Sequence, residues 1–220
     1  MTELAIHAQL DRRAVVDGDA LPWQDSPAPG VQRRMLERDG GERARATSVV
    51  RYAPGSRFSP HRHDGGEELF VLEGVLEDEF GTYGTGTYIM NPPGTAHTPA
   101  SALGCVLWVK LRHLGPEHGE RVVVDTQAAV WRPGLVPGLA VLPLGSHGTQ
   151  HTALVRWAPG TRFQRHQHWG GEEIYVLSGV FEDEHGRYPA GHWLRSPHLS
   201  QHTPFSDEGC TILVKTGHLL

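Results

Sequence analysis

The sequence predicts an all-β protein built from two similar domains in tandem. Three observations carry that expectation. The first is a repeat: residues 47–114 lie over 152–219 without a gap, and about half of the aligned positions are identical. The second is a series of short runs rich in β-branched and aromatic residues, such as "ARATSVVRY", "LFVLEGVLEDEF", "TYIMN" and "CVLWVKL". Such runs suit half-buried strands. The third is the punctuation between them. Many of the 27 Gly and 16 Pro fall in stretches such as "APGSRFSP", "GTYGTG" and "PPGTAHTP", which favour tight turns over long helices. Short strands at this pitch make a sandwich or a barrel.

Upstream of the ungapped repeat, "VVDGDALPW" (Val15–Trp23) faces "VVDTQAAVW" (Val123–Trp131), and Pro29-Gly30 faces Pro137-Gly138. The chain therefore divides into an N-terminal tail over residues 1–13, a first domain over 14–116 and a second over 117–220, joined near "GPEHGE". Each domain is long enough to bury its own core. Two copies of so long a period are a duplication rather than a solenoid. "GVQRRMLERDG" hints at a helix, but its counterpart "GLAVLPLGSHG" carries a central proline, so the helix is discounted.

The net charge of -5 offers no surface for a nucleic acid. "MTELAIHAQLDRR" lacks an apolar core of signal-peptide length, and no later run approaches a membrane span. The default location is the cytoplasm. Two cysteines make no disulfide framework. Cys105 and Cys210 are equivalent positions on the last strand of each copy, expected to be small buried core residues.

The chemistry sits in "HRHDGGEELFVLEG" (His61–Gly74), which returns as "HQHWGGEEIYVLSG" (His166–Gly179). Alternate residues of a strand share a face, so His61 and His63 point the same way. Gly65-Gly66 breaks or bulges the strand. Beyond it Glu67, Leu69 and Val71 share one face, while Glu68, Phe70 and Leu72 take the other. If the histidines face inward, Glu67 joins them and Glu68 does not. His97 follows a proline-rich turn and can approach from a neighbouring strand. Three imidazoles and a carboxylate suit a divalent first-row metal. The second copy supplies His166, His168, Glu172 and His202. One His-x-His on a strand is usually a surface feature; four ligands at matched spacing, present twice, are expected to form a metal site. "EDE" at 77–79 and 182–184 allows acid–base carboxylates or a calcium site, but reads first as a charged strand end before a glycine turn. His185, beside that turn, is expected in solvent. His7, His113, His118, His147, His151, His192, His198 and His218 lack ligand spacing and read as structural or surface residues.

These motifs closely resemble the cupin superfamily. Gly55, His61, His63, Glu67 and Gly74 fit every gap of its first motif, as do Gly160, His166, His168, Glu172 and Gly179. Gly86, Pro92, Gly94 and His97 fit the second motif. Gly191, Pro197 and His202 also fit, with Leu199 in place of the glycine. Ser101 and Ser206 stand where that motif usually ends in asparagine. The pattern "GGEE…VL.G…EDE.G.Y", with its short link between motifs, is similar to the ChrR-type cupins. These include zinc-binding domains of anti-sigma factors and iron enzymes that cleave diketones and hydroxyketones.

The resemblance implies a bicupin of two tandem jelly-roll β-barrels with one divalent metal each, Fe(II) or Zn(II). With iron and open coordination positions, a diketone or hydroxyketone can chelate and the protein is a dioxygenase. Glu67 and Glu172 are then ligands, or swing off to act as bases. With zinc closed tetrahedrally, the protein is a structural or sensor domain. An isomerase or lyase is a third class the fold allows. The anti-sigma relatives carry an extra N-terminal zinc domain for the sigma factor, which this sequence does not suggest. The expected partner is a small molecule, with neither nucleic acid nor membrane. Phe70, Leu72, Tyr175 and Leu177 put apolar side chains opposite the metal face, where sheet-to-sheet packing would bury them, and a homodimer is allowed.

The two pockets are expected to differ. Pro60, Asp64 and Met90 in the first copy face Arg165, Trp169 and Arg195 in the second. If Met90 and Arg195 line the barrel mouth, the first site is the more apolar and the second accepts an anion. The competing expectation puts Arg195 on the exterior.

Overall fold

The structure is a computed structural model describing residues 4–117 and 119–220. His118 lies outside the described residues. Every regular element among them is a β-strand, and no helix is long and apolar enough to cross a membrane. "GVQRRMLERDG" forms the strand Val31–Asp39.

Two compact units result. One joins the described residues through Ala8 to Leu21–Ala128; the other joins Gln9–Ala20 to Ala129–Leu220. This division crosses the repeat boundaries of the sequence at two short strands. Ala14–Asp17, at the start of the first repeat, pairs antiparallel with His192–Ser196 in the second unit. Val122–Asp125, at the start of the second repeat, pairs with Thr87–Asn91 in the first. The two strands are equivalent in sequence, and each completes the sheet of the other copy.

In the first unit the main antiparallel sheet runs, edge to edge, Ala5–Ile6, Val31–Asp39, Arg45–Tyr52, Cys105–Leu111, Glu67–Asp78, Thr87–Asn91, Val122–Asp125. The long Glu67–Asp78 strand belongs to two layers. Its first half lies in the main sheet, and its end pairs with Gly81–Gly84 and Ala100. Gly74, with φ +74, makes the bend; a Cβ there would stand 2.2 Å from the Gly104 carbonyl oxygen. Gly179 repeats this with φ +70. No other residue type fits such a position without backbone movement. A bulge falls at Leu72 and again at Leu177. The inward side chains Leu69, Val71, Leu76, Ile89, Leu107 and Val109 form the core, each stabilising the unit by about 1.5–3 kcal/mol of burial. Cys105 is buried among them, which pushes its thiol up to about 11.

The second unit repeats this order, from Arg132–Pro133 through Leu139–His147, Gln150–Trp157, Cys210–Thr216, Glu172–Asp183 and His192–Ser196 to Ala14–Asp17. Its core gathers Trp157, Ile174, Val176, Phe181, Leu194 and Ile212, with Cys210, whose thiol burial also raises to about 11. Two tandem jelly-roll barrels are therefore present, as the repeat and strand spacing predict.

Candidate metal centres

Each ligand set is assembled from a two-stranded ribbon and the start of the long strand. His61–Arg62 pairs with Ala96–His97, so that His61 and His97 are direct cross-strand partners. His166 and His202 are partners in the same way. Cross-strand partners on one face meet side to side. The turn between His63 and Glu67 is closed by Gly66, with φ +70, and returns the chain into the sheet with Glu67 inward. Ligand atoms of His61, His63, Glu67 and His97 all lie within 4.8 Å of one another, and those of His166, His168, Glu172 and His202 do the same. Two metal bonds of about 2.0–2.2 Å span nearly that distance.

The buried Nε2 atoms of His63, His97, His168 and His202 make no hydrogen bond. In the first unit Glu67 Oε2 stands 3.4 Å from His63 Nε2 and 3.6 Å from His97 Nε2. The second unit has 3.5 and 3.6 Å around Glu172. Buried imidazole nitrogens facing one carboxylate with nothing to bond are what a cation would satisfy. The donor set, three nitrogens and one oxygen, fits a divalent first-row metal and leaves coordination positions open in six-coordinate geometry.

The outer nitrogens explain why Nε2 faces inward. His61 Nδ1 donates to the Ser59 carbonyl at 3.0 Å. His63 Nδ1 donates to Thr95 Oγ1 at 3.1 Å, whose own hydroxyl donates to the Pro92 carbonyl. His97 Nδ1 donates to Asp78 Oδ2 at 3.2 Å. Such partners fix the tautomer and the ring orientation. In the second unit His166 bonds the Gln164 carbonyl at 3.1 Å, and His202 reaches Asp183 only at 3.5 Å. Ser200, which replaces Thr95, leaves its buried hydroxyl without a partner.

A second layer ties ligands together. Asn91 Nδ2 donates to Glu67 Oε2 at 2.9 Å, and Arg121 Nε donates to Asn91 Oδ1 at 2.8 Å. Arg121 also reaches Asp78 Oδ2 at 3.2 Å and the Tyr83 hydroxyl at 2.9 Å. One guanidinium thus braces both Glu67 and His97. In the second unit Arg13 bonds the Tyr188 hydroxyl at 2.7 Å and Asp183 at 3.5 Å. Ser196 replaces Asn91 there, so the carboxylate bond has no counterpart.

Charge follows burial. Desolvation lowers His63 and lowers His168 to about 3, so both rings are neutral and ready to ligate. Desolvation pushes Glu172 up to about 7. Burial alone would raise Asp183, but its bonds to His202 and Tyr188 and the nearby Arg13 outweigh that and hold it at about 2. For His202 the downward push of burial is outweighed by Asp183 and Glu172, and its value is raised.

The sequence singled out the ligands but not their supports. The "EDE" repeat supplies Asp78 and Asp183, which hold a ligand ring rather than merely ending a strand. Arg121 and Arg13 occur in "RVVVD" and "RAVVD", kept in both copies; that repetition was the available signal. Glu68 and Glu173 point away from the metal face. Glu68 meets the Tyr88 hydroxyl at 2.8 Å and His113 at 3.2 Å; Glu173 meets Trp193 at 2.8 Å and His218 at 3.0 Å. His185 is exposed, and His113 and His218 are buried side chains.

One expectation is corrected. Met90 pairs with Glu68, and Arg195 with Glu173, so both stand on the sheet face opposite the ligands. Arg195 is 1% exposed and donates to the carbonyls of Gln9 and Arg12. It does not line the second site. The period-two alternation already placed it opposite Glu172 once the pairing register was known.

A cavity of about 730 Å³ opens on the first ligand set. Val31, Val50, Tyr52, Leu69, Leu107 and Val109 line it, as do Arg33 and Arg38.

Fold and ligand sets together define a tandem metal-binding cupin. The chain belongs to the ChrR cupin-like family, whose model matches residues 11–115 and again 119–220. Among solved structures it is similar to a candidate dioxygenase of Nostoc punctiforme, at 14% identity and TM-score 0.76 over 95% of this chain and 84% of that one. It is also similar to protein Ylba of E. coli, at 18% identity and TM-score 0.73 over 98% and 94%. Oxalate decarboxylase of Bacillus subtilis aligns at 15% identity and TM-score 0.59 over 96% and 78%. No curated protein sequence matches.

Proposed function

We propose that this protein is a metal(II)-dependent dioxygenase that cleaves a small diketone or hydroxyketone, with the first unit as the reacting one. The observation that carries this is the cavity reaching the His61, His63, Glu67 and His97 set. A ligand set with access and spare positions takes a substrate, whereas a structural zinc site is closed. Bound by these residues, a divalent metal would supply Lewis acidity to a chelating pair of oxygens and, as iron(II), a route for dioxygen.

The protein's own part is definable. Val50, Leu69, Leu107 and Val109 present an apolar wall that excludes water. Thr95 and Asp78 hold the His63 and His97 rings. Glu67 Oε2 accepts from Asn91, which leaves Oε1 to hold the proton released when a 1,3-diketone becomes its enolate. Overall, one carbon–carbon bond breaks and both atoms of dioxygen remain in the two fragments.

The test is oxygen uptake by iron(II)-loaded protein on pentane-2,4-dione, with metal analysis of protein purified without chelators. One dioxygen consumed per diketone supports the proposal. Stoichiometric zinc as purified, with no uptake after iron loading, would favour a sensor or structural role instead.

A further inference from the structure

We infer that the first cavity selects an anionic substrate, a small oxo acid whose carboxylate is received by Arg38 while its ketone oxygens face the metal ligands. This rests on the proposed chelating role of the first site and names the class of molecule that fits it.

A bulge in the second strand makes the subsite. Val31 pairs with Tyr52 and Arg33 with Val50, and all four line the cavity. Strict alternation would send Arg38 to the opposite face. The register shifts between Met35 and Glu37, and the extra residue, Leu36, restores the inward phase so that Arg38 pairs with Ala46. Arg38 then lines the same cavity as His61, His63, Glu67 and His97.

Its surroundings leave it short of negative charge. Arg38 is 2% exposed. Its Nη1 donates to the Gly41 carbonyl, and its Nε bonds nothing. The nearby carboxylate, Glu42, is engaged by Arg33 in a two-pronged pair at 2.6 and 2.9 Å. At the rim Arg112 engages Asp64 at 3.0 Å. Among the described residues no carboxylate lies within ion-pair distance of Arg38. A buried guanidinium is normally paired, and its planar fork matches a carboxylate. Burial, with Arg33 beside it, lowers its pKa, and the Glu42 carboxylate offsets this only in part.

The second unit makes the comparison internal. Its matching strand bulges at the same place, between Pro143 and Gly145. The position that pairs as Arg38 does is Ser146, opposite His151, and the position of Arg33 is Val141, opposite Val155. Ser146 is exposed and bonds His151 at 2.8 Å. The ligands were duplicated; the arginines stand in one copy.

The experiment is calorimetric titration of zinc-loaded protein with 2,4-dioxopentanoate and, separately, its methyl ester. The two share a diketone and differ in charge. The acid should bind at least about tenfold tighter than the ester, the range of a charge-assisted hydrogen bond. R38M should abolish the preference and leave ester affinity within about twofold. R38K should keep part of it, which guards against a fault in the folding of R38M. His63→Ala should remove the tight binding of the acid. Equal affinity for acid and ester, or a preference that survives R38M, overturns the anion subsite alone. Binding of neither compound to the zinc-loaded protein overturns the chelating site and this inference together.

Discussion

The two units hold the same four ligands on the same ribbon and strand, yet differ one layer out. In the first, Glu67 is bonded by Asn91, Asn91 by Arg121, and His63 by Thr95. In the second, Ser196 and Ser200 stand at the positions of Asn91 and Thr95, and Asp183 stands farther from its histidine. The first cavity has Arg33 and Arg38 where the second unit has Val141 and Ser146. A metal needs only its donor atoms and their orientation, so the duplicated ligands suffice in both. A substrate needs the walls, and there the copies have parted. On the proposed function, the difference favours the first unit as the reacting one, with the second keeping the same four candidate ligands.

The sharpest way to break this contrast is to empty one site at a time. His63→Ala should reduce bound metal from two ions to one and bring oxygen uptake to background, whereas His168→Ala should lose one ion and keep uptake. Uptake lost in both variants would remove the division of labour. Metal analysis beside an oxygen electrode reads both quantities.

Next in size are the outer carboxylates. Asp78→Ala should weaken the first metal about 10–100-fold. Asp183→Ala should cost the second site less, since its bond to the histidine is 3.5 Å rather than 3.2 Å. Competition with a chromophoric chelator measures each. Equal losses would show that the longer contact is no weaker. Smaller still, Asn91→Ser gives the first site the residue of the second and removes a bond to an ionised group. It should weaken the first metal roughly tenfold, with no effect on the second.

Acid probes the second site. Metal-free, the second site holds protons near neutrality, because Glu172 sits at about 7 and His202 is raised. A cation must displace them, so second-site affinity should fall as pH drops below about 7. Binding should release protons at pH 6 and few at pH 8.5. Titration in two buffers of different ionisation enthalpy counts them. A proton count independent of pH would contradict the buried carboxylate.

The smallest effect concerns the turn before the third histidine. Gly94 and Leu199 both adopt positive φ, +91 and +62. Both donate their N–H to the carbonyl of the middle histidine, at 2.8 and 2.9 Å. Leucine bears left-handed strain that glycine does not. Leu199→Gly should therefore stabilise the protein by about 1 kcal/mol, raising Tm by roughly 2–4 °C. An unchanged or lower Tm would mean the strain is relieved elsewhere.

The ligands were legible because they are local. His61, His63 and Glu67 fall within seven residues, and strand parity alone separates Glu67 from Glu68. Repetition made the rest of the motif conspicuous. Asp78, Asn91 and Arg121 were not legible in the same way, because each meets its partner through pairing between distant strands. Arg38 needed more again, since a bulge at Leu36 reverses the parity that a plain strand would give. Arg195 shows the converse: its place beside motif two drew attention, while its register put it behind the sheet.

The exchanged edge strands also order events in time. At about 5–20 residues per second of synthesis, Val122–Asp125 emerges soon after the sheet it completes, bringing Arg121 with it. Ala14–Asp17 is made first but bonds His192–Ser196, so it waits on the order of 10–35 s for its partner to leave the ribosome. A four-residue strand ending in aspartate is a poor template for other chains during that wait. The first centre can be fully braced while the second is still being translated, and the second sheet is completed last by the earlier-made Ala14–Asp17.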